Sequence, residues 1–322
     1  MPEKSPPFFI VGMPRSGTKL LRELLNQSPD VWVPDVESQF IPRYARRMKK
    51  YGDLSHWPNF ERMAKTVGGS NAFVYWARQG VAIEPREWFD RCATHDWPGA
   101  VTALFQLVYE QSSYRPDRDW SEVFWGDKSP QYVTEVSLLS RLFPQSSFIH
   151  IVRDPRDVSL SVATTWGQHP LRAAQRWTEA IDSCRAAGER LGPDRYAEVR
   201  YEDILARPGE ETARLCAFLG VETPANAGTL ARPAEGGTTD VVRDNSGKFQ
   251  VRLSPGLQRS IEALTARGLD AYGYGRLYPE VAPATLNRFD RARYTLHDGW
   301  RTVKVRQDTL GGWRNVLRSL RA

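Results

Sequence analysis

Residues 8–25 read FFIVGMPRSGTKLLRELL, and this stretch decides the fold. The apolar run Phe8–Val11 stops at Gly12, as a buried parallel strand does. From Thr18 onward, Leu20, Leu21, Leu24 and Leu25 fall on one face of a helix. A loop from a buried strand into a helix turns backbone N–H groups toward whatever lies at the positive end of the helix dipole, which makes it an anion site. Gly12 and Gly17 have the spacing of the ATP-type loop G-x-x-x-x-G-K-[ST], but Thr18 precedes Lys19 and Arg15 sits inside the loop. The hydroxyl that follows the lysine in such loops, the usual Mg²⁺ ligand, is missing. Arg15 and Lys19 bring positive charge where a metal would otherwise be needed. The alternative is a glycine turn that joins strand to helix and holds nothing.

The same alternation continues outward. DVWVP (30–34), SSFIHIV (146–152) and YAEVRYED (196–203) read as strands. RAAQRWTEAIDSCRAAGERLG (172–192) and EETARLCAFLG (210–220) read as amphipathic helices closed by glycine. SPGLQRSIEALTARG (254–268) reads as a helix capped by Ser254, opened by Pro255 and ended by Gly268. RPAEGGTTDVVRDNSGKFQ (232–250) reads as a long polar loop of the kind that carries function or is disordered. Residues 51–120 hold Trp57, Trp76, Trp88, Trp97 and Trp120 among prolines and glycines, and read as a mostly helical block. Strands alternating with helices predict an α/β fold: a P-loop-type central parallel sheet flanked by helices on both faces, with a helical Trp-rich insertion. The expected division is one domain over 1–283 and a basic extension over 284–322.

With 322 residues, 41% hydrophobic and 25% charged, the chain can bury a sizeable core. No apolar run approaches the roughly 20 residues of a membrane span. MPEKSPP leads into the first strand without a signal-peptide pattern, so a cytoplasmic location is expected. Cys92, Cys184 and Cys216 form no C-x-x-C pair, and Cys216 reads as a small buried hydrophobe. The five histidines make no metal-ligand pair, and His150, inside a strand-like run, reads as structural. The net charge of +6 resides in residues 284–322, which carry nine Arg/Lys and three Asp. The body is formally neutral, so overall basicity describes the tail rather than the site, and no nucleic-acid partner is expected.

GMPRSGTK resembles the 5′-phosphosulfate loop G-x-P-R-S-G-T-T of sulfotransferases that use 3′-phosphoadenosine 5′-phosphosulfate (PAPS), with Lys19 in place of a threonine. FIHIVRDPRDVSLS (148–161) is similar to the second signature of that family, a strand followed by R-D-x-R and a serine. The resemblance implies PAPS as co-substrate, PAP (3′-phosphoadenosine 5′-phosphate) as product, no metal, and donor contacts from Pro14, Arg15, Ser16, Gly17, Thr18, Lys19, Arg153 and Ser161. Arg153 offers a planar fork for phosphate oxygens. Its structural alternative is a salt bridge to Asp154 or Asp157. Two such motifs in order, each at a strand end, are far more specific than either alone.

DVESQFIPR (35–43) resembles the segment E-E-T-R-x-I-P-R of the tyrosylprotein sulfotransferases. Glu37 falls on their catalytic base, Gln39 on their first arginine and Arg43 on their second, so Gln39 and Arg43 are candidate acceptor contacts. Sulfuryl transfer to a hydroxyl must remove its proton, and a carboxylate beside the donor loop can accept it. The alternative for Glu37 is a surface pair with Arg43 or Arg46. WGDKSPQYV (125–133) resembles the family segment whose lysine touches the bridging oxygen between phosphate and sulfate, which assigns that role to Lys128, against a loop lysine in water. Glu37, Lys128 and Arg15 are thus the candidate catalytic residues. RDNSGKFQ (243–250) is similar to the segment that closes over the donor, adding Ser246 and Lys248. VRYED places Tyr201 where an aromatic contacts the 3′-phosphate region.

The function implied is transfer of a sulfuryl group from PAPS to a hydroxyl of a carbohydrate, lipid, secondary metabolite or peptide tyrosine. The Trp-rich block is the candidate acceptor pocket, although its rings would suit a core equally. A P-loop kinase and a non-catalytic nucleotide-binding or membrane adaptor are the competing readings. GGWRNVLRSLRA (311–322) spaces Trp313, Val316, Leu317 and Leu320 on one side of a short basic helix. That helix would dock on its own domain, on a twin subunit or on an anionic membrane surface.

Overall fold

The computed structural model describes residues 6–113, 117–232, 237–240 and 245–310. The run 311–322, for which the sequence predicts a basic helix, lies outside the described residues.

In chain order, β1 (Phe8–Val11) leads through the glycine loop into α1 (Thr18–Leu25), and β2 (Val31–Trp32) follows. A helical block comes next, made of α2 (Ile41–Ala45), α3 (Trp57–Val67), α4 (Asn71–Arg78), α5 (Pro85–Arg91) and α6 (Trp97–Gln111). Then come β3 (Phe124–Lys128), α7 (Val136–Leu142), β4 (Ser147–Val152), α8 (Pro155–Trp166), α9 (Pro170–Leu191) and β5 (Tyr196–Arg200). The C-terminal part adds α10 (Tyr201–Ala206), α11 (Pro208–Leu219), β6 (Thr229–Arg232), β7 (Gly237–Asp240), α12 (Phe249–Arg252), α13 (Pro255–Ala271) and α14 (Arg288–Leu310).

Five strands form a parallel sheet in the order β2-β3-β1-β4-β5. Alternate residues of β1 enter different cores, as a strand's period of two requires. Phe8 and Ile10 pack with Leu21, Leu24 and Leu25 of α1 and with Leu215 of α11. Phe9 and Val11 pack on the other face with Phe40, Trp76, Phe105 and Cys184. Both faces are therefore covered, as an all-parallel sheet demands. From β1 the chain moves to one side of the sheet, and from β3 it crosses to the other. The carboxyl ends of β3, β1 and β4 thus lie side by side at the switch point where ligands bind in such sheets.

Four elements differ from the sequence reading. Strand β5 ends at Arg200, and Tyr201–Asp203, read as part of that strand, open α10. Strand β3 carries Gly126, Asp127 and Lys128 and shows no apolar run, yet it pairs Gly126 with Phe8 and Lys128 with Ile10. An antiparallel pair, β6 with β7, overlaps the start of the stretch read as a loop: β6 ends at Arg232 and β7 lies within it. Its β-branched threonines suit a strand. Helix α13 runs through Gly268 to Ala271. A Cβ on Gly268 would lie 2.3 Å from the Trp177 ring, so this glycine permits close helix packing and ends nothing.

The Trp-rich block is helical, but its rings mostly build core. Trp76, Trp88 and Trp97 are buried, and Trp76 meets Phe40 and Phe105 edge-on while Trp88 meets Phe60. His150 is buried with Nδ1 2.8 Å from the Tyr196 hydroxyl, and all three cysteines are buried and free. Helix α14 packs on the body: Asp298 Oδ1 accepts from His169 N at 2.7 Å, and the Tyr294 ring stacks on His169 at 3.6 Å. No helix among the described residues is long and apolar enough to cross a membrane.

Candidate active site

The site is built from the loop that ends β1. Arg15 has φ 77° and Gly17 has φ 95°, both left-handed, and Ser16 N donates to Met13 O at 3.0 Å. Among the described residues, Arg15 and Gln39 are the two non-glycine residues at positive φ, and both are candidate site residues. Strain of this kind, on the order of 1–3 kcal/mol per residue, persists where surrounding structure enforces it. Gly17 is required twice over. Its φ disfavours a side chain, and a Cβ there would meet the Tyr201 ring at 2.3 Å.

The two signature motifs meet. Arg153 donates to the carbonyl of Arg15 at 3.0 Å, and Arg15 Nε donates to Ser161 Oγ at 3.0 Å. The Arg153 guanidinium lies 4.4 Å from the Tyr201 ring centroid, and its other arm donates to Asn245 O at 2.6 Å. Asn245 also donates to the Tyr201 hydroxyl at 2.8 Å. The salt-bridge alternative for Arg153 does not hold, because its near carboxylates are committed elsewhere. Asp154 binds Arg156 at 2.7 Å, and Asp157 accepts from Gly247 N at 2.6 Å and Phe249 N at 3.0 Å. Asp157 thereby anchors the 245–249 segment beside Arg153. Burial pushes the Asp157 carboxyl up, against the opposing pull of Arg153 and the two amides.

Lys128 and Glu37 form the second cluster. Lys128 is buried at the carboxyl end of β3, and its Nζ is paired with Glu37 Oε1. Gln39 Nε2 donates to Glu37 Oε2 at 2.6 Å. The pairing of Glu37 with Arg43 or Arg46 is replaced by these contacts, and Arg46 binds Glu135 at 2.5 Å instead. Lys128 is no solvated loop lysine.

Beneath this pair lies a network that sequence reasoning missed. Asp127 is wholly buried and accepts from Ser38 Oγ at 2.5 Å and from Ser129 Oγ at 3.2 Å. Ser38 Oγ lies 2.7 Å from the Tyr132 hydroxyl, and Ser129 Oγ accepts from Gln39 N at 3.2 Å. Burial pushes the Asp127 carboxyl up to about 6 despite these donors. The network clamps 37–39 to the end of β3. A charged residue in the run GDKSP was the available signal. Asn245, Asp157 and Trp166, whose ring lies 5.7 Å from Arg15, were also missed.

Other candidates are placed apart or at the edge. Lys19 is 76% exposed and lies 3.7 Å from Glu23 one helical turn on, so its ammonium leaves the loop and follows the surface of α1. Thr18 is buried at the start of α1. Ser246 is exposed, and Lys248 donates to Asn245 Oδ1 at 2.8 Å. Arg43 lies over the Tyr44 ring at 5.7 Å. Two clefts flank Gln39. One, of about 370 Å³, is lined by Met13, Pro14, Arg43, Arg46, Arg172 and Arg176 among others. The second, of about 490 Å³, is lined by Glu37, Asp35, Asn71, Tyr75 and Gln79. In this cleft the helical block thus reaches Glu37 through Asn71, Tyr75 and Gln79 and not through indole rings.

The residues fit an anion. Ser16 Oγ and Arg153 Nε are buried polar atoms without a partner, both in the loop cluster. Buried donors of this kind call for an acceptor. Among the described residues no group of three or more His, Cys, Asp or Glu is arranged to hold a metal.

Residues 6–225 match the profile of the sulfotransferase family. The chain is 26% identical over 319 residues to the omega-hydroxy-beta-dihydromenaquinone-9 sulfotransferase of Mycobacterium tuberculosis, covering 86% of this chain and 77% of that protein. It is 26% identical over 223 residues to the protein-tyrosine sulfotransferase of Drosophila melanogaster, covering 67% of this chain and 38% of that protein. The chain spans about half or less of several curated relatives it matches. The fold resembles that of the sulfotransferase domain from the Synechococcus PCC 7002 olefin synthase, with a TM-score of 0.53 and 23% identity over 85% of this chain and 98% of that domain.

Proposed function

From the premise that this chain belongs to the sulfotransferase family, we propose that it transfers a sulfuryl group from PAPS to an acceptor hydroxyl, with Glu37 as base. The observation that carries this reading is the pairing of buried Lys128 with partly exposed Glu37 at the end of β3, one strand from the Arg15–Arg153 loop cluster. A loop, two arginines and a hydroxyl suit a doubly anchored anion. An acid–base pair beside them suits the chemistry.

The donor, when bound, supplies an activated sulfuryl group. Arg15, Ser16, Gly17 and Thr18 hold its 5′ side, and Arg153, Ser161 and Tyr201 hold its 3′ side. Glu37 accepts the acceptor's proton as the new S–O bond forms. Lys128 turns from Glu37 toward the oxygen left when the old S–O bond breaks, and its ammonium offsets the negative charge that grows there. Gln39, clamped at positive φ, holds the second oxygen of Glu37 so that the first can meet the proton. Ser246 and Lys248 flank the donor from the 245–249 segment, and Arg43 contacts the acceptor. The acceptor is a hydroxyl-bearing small molecule or peptide entering along the clefts beside Gln39.

The test is a thermal-shift series followed by transfer. PAP without metal is expected to raise the melting temperature, as a ligand at 100 times its Kd stabilises by about 2.7 kcal/mol. Mg-ATP is expected to do so far less. Glu37→Gln is expected to keep the PAP shift and to lose formation of products one SO₃ unit heavier from PAPS and a cell extract. Equal shifts with Mg-ATP would favour a kinase-like site, and wild-type turnover in Glu37→Gln would remove Glu37 from its role.

A further inference from the structure

The cleft between the 12–17 loop, α2 and α9 has a charge balance that the donor site does not use. It is lined by four guanidiniums, Arg43, Arg46, Arg172 and Arg176, against two carboxylates, Glu135 and Glu179. Glu135 is engaged by Arg46 at 2.5 Å. Glu179 Oε1 is engaged by Arg291 of α14, also at 2.5 Å.

What remains is Arg43 from α2 and, on one face of α9, Arg176 beside Arg172, which shares Glu179 with Arg291. Arg172 and Arg176 are four residues apart, one helical turn, where like charges destabilise a helix. Arg172 Nη1 is buried without a hydrogen bond, 3.6 Å from Glu179 Oε2. Among the described residues Arg176 makes no hydrogen bond or ion pair, although it is only partly exposed. Its guanidinium is pushed below the ordinary arginine range, by burial first and by Arg172 next, against the weaker opposing pull of Asp298 and Glu179. A half-buried cation beside another cation is costly unless an anion neutralises it. Arginine forks are suited to phosphate, sulfate and carboxylate oxygens.

We propose that Arg172 and Arg176 bind an anionic group carried by the acceptor, a phosphate, sulfate or carboxylate, in the cleft beside Met13 and Pro14. The assignment to the acceptor rests on the sulfotransferase reading. Its geometric support is Gln39, which lines this cleft and bonds Glu37 in the next one. A molecule spanning Gln39 puts its hydroxyl at Glu37 and its anion at α9. The acceptor class is therefore a hydroxyl compound that already bears a negative charge.

The test is calorimetric titration of PAP-saturated full-length protein with inorganic pyrophosphate and, separately, with tricarballylate. Single-site binding of at least one probe is expected. Arg176→Gln and the double change Arg172→Ala/Arg176→Gln should weaken it about tenfold or more, the loss of a charge-assisted hydrogen bond. Arg267→Ala, which removes an exposed charge outside the cleft, should leave it unchanged. Binding of pyrophosphate alone assigns a phosphate or sulfate ester, and binding of tricarballylate alone assigns a carboxylate. No binding of either probe, or equal affinity in Arg176→Gln, overturns the proposal. PAP affinity is measured in the same proteins. Its absence would sink the donor reading, while the dependence of the probe heat on Arg176 would still decide the cleft.

Discussion

Asp127 shows how one ionisation can be read at the residue scale. Its carboxyl is pushed up to about 6 by burial, although two serine hydroxyls donate to it. In an unfolded chain an aspartate titrates near about 3.9. Between those values the folded protein binds more protons than the unfolded one. The contribution of this group to stability is therefore fully present below about pH 4 and is lost as pH rises through about 6. An asparagine cannot ionise and carries no such loss. The melting temperature of Asp127→Asn minus that of the wild type is expected to become more positive from pH 4 to pH 7, by the equivalent of roughly 3 kcal/mol at most. A difference that stays flat across that range would show that Asp127 titrates alike in both states. The position next to Lys128 adds a functional side, since the same network holds the backbone of Gln39 through Ser129.

At the scale of elements, the β1–α1 loop works only as part of a pair. Its shape depends on Arg153 from the end of β4 and on Tyr201 from the start of α10, whose ring occupies the space a side chain at position 17 would need. Gly17→Ala combines a φ of 95° with that clash. It is expected to destabilise the protein by about 1–3 kcal/mol and to weaken PAP binding, read as a lowered melting temperature and a reduced PAP-induced shift. An unchanged PAP affinity would separate the loop from the donor. Both loop signatures were visible in the sequence, since local spacing is what they consist of. Strand β3 was not visible. Its Asp127 and Lys128 are polar, and only neighbours from other elements, Ser38, Ser129 and Glu37, make their burial tolerable.

At the scale of the whole molecule, one buried ion cluster ties α8 to the C-terminal third. Arg156 of α8 binds Asp154 at 2.7 Å and Glu262 of α13 at 2.6 Å. Glu262 is wholly buried and also accepts from the amides of Leu277 and Tyr278 at 2.9 Å each. Removing Arg156 leaves Glu262 as an unpaired buried charge. Arg156→Ala is expected to lower stability by about 3–5 kcal/mol, seen as a lower urea midpoint. A loss near zero would mean that water or another cation reaches Glu262. In the family signature this arginine reads as part of a phosphate motif, whereas its guanidinium is consumed inside the fold. The sequence reading gives a donor contact to Arg153 and none to Arg156; the structure adds what Arg156 binds instead.

Local order was written in the sequence by itself. Apolar periodicity marked β1, β4, β5, α1, α9 and α11, because neighbours along the chain set that pattern, and resemblance to family signatures marked Arg15, Arg153, Ser161, Glu37 and Lys128. Tertiary structure alone decided which charges meet. It buried Lys128 against Glu37, turned Trp76, Trp88 and Trp97 into core and gathered Arg172 and Arg176 beside the 12–17 loop. The reason is range: helix and strand patterns repeat within a few residues, whereas burial and charge pairing join side chains many tens of residues apart.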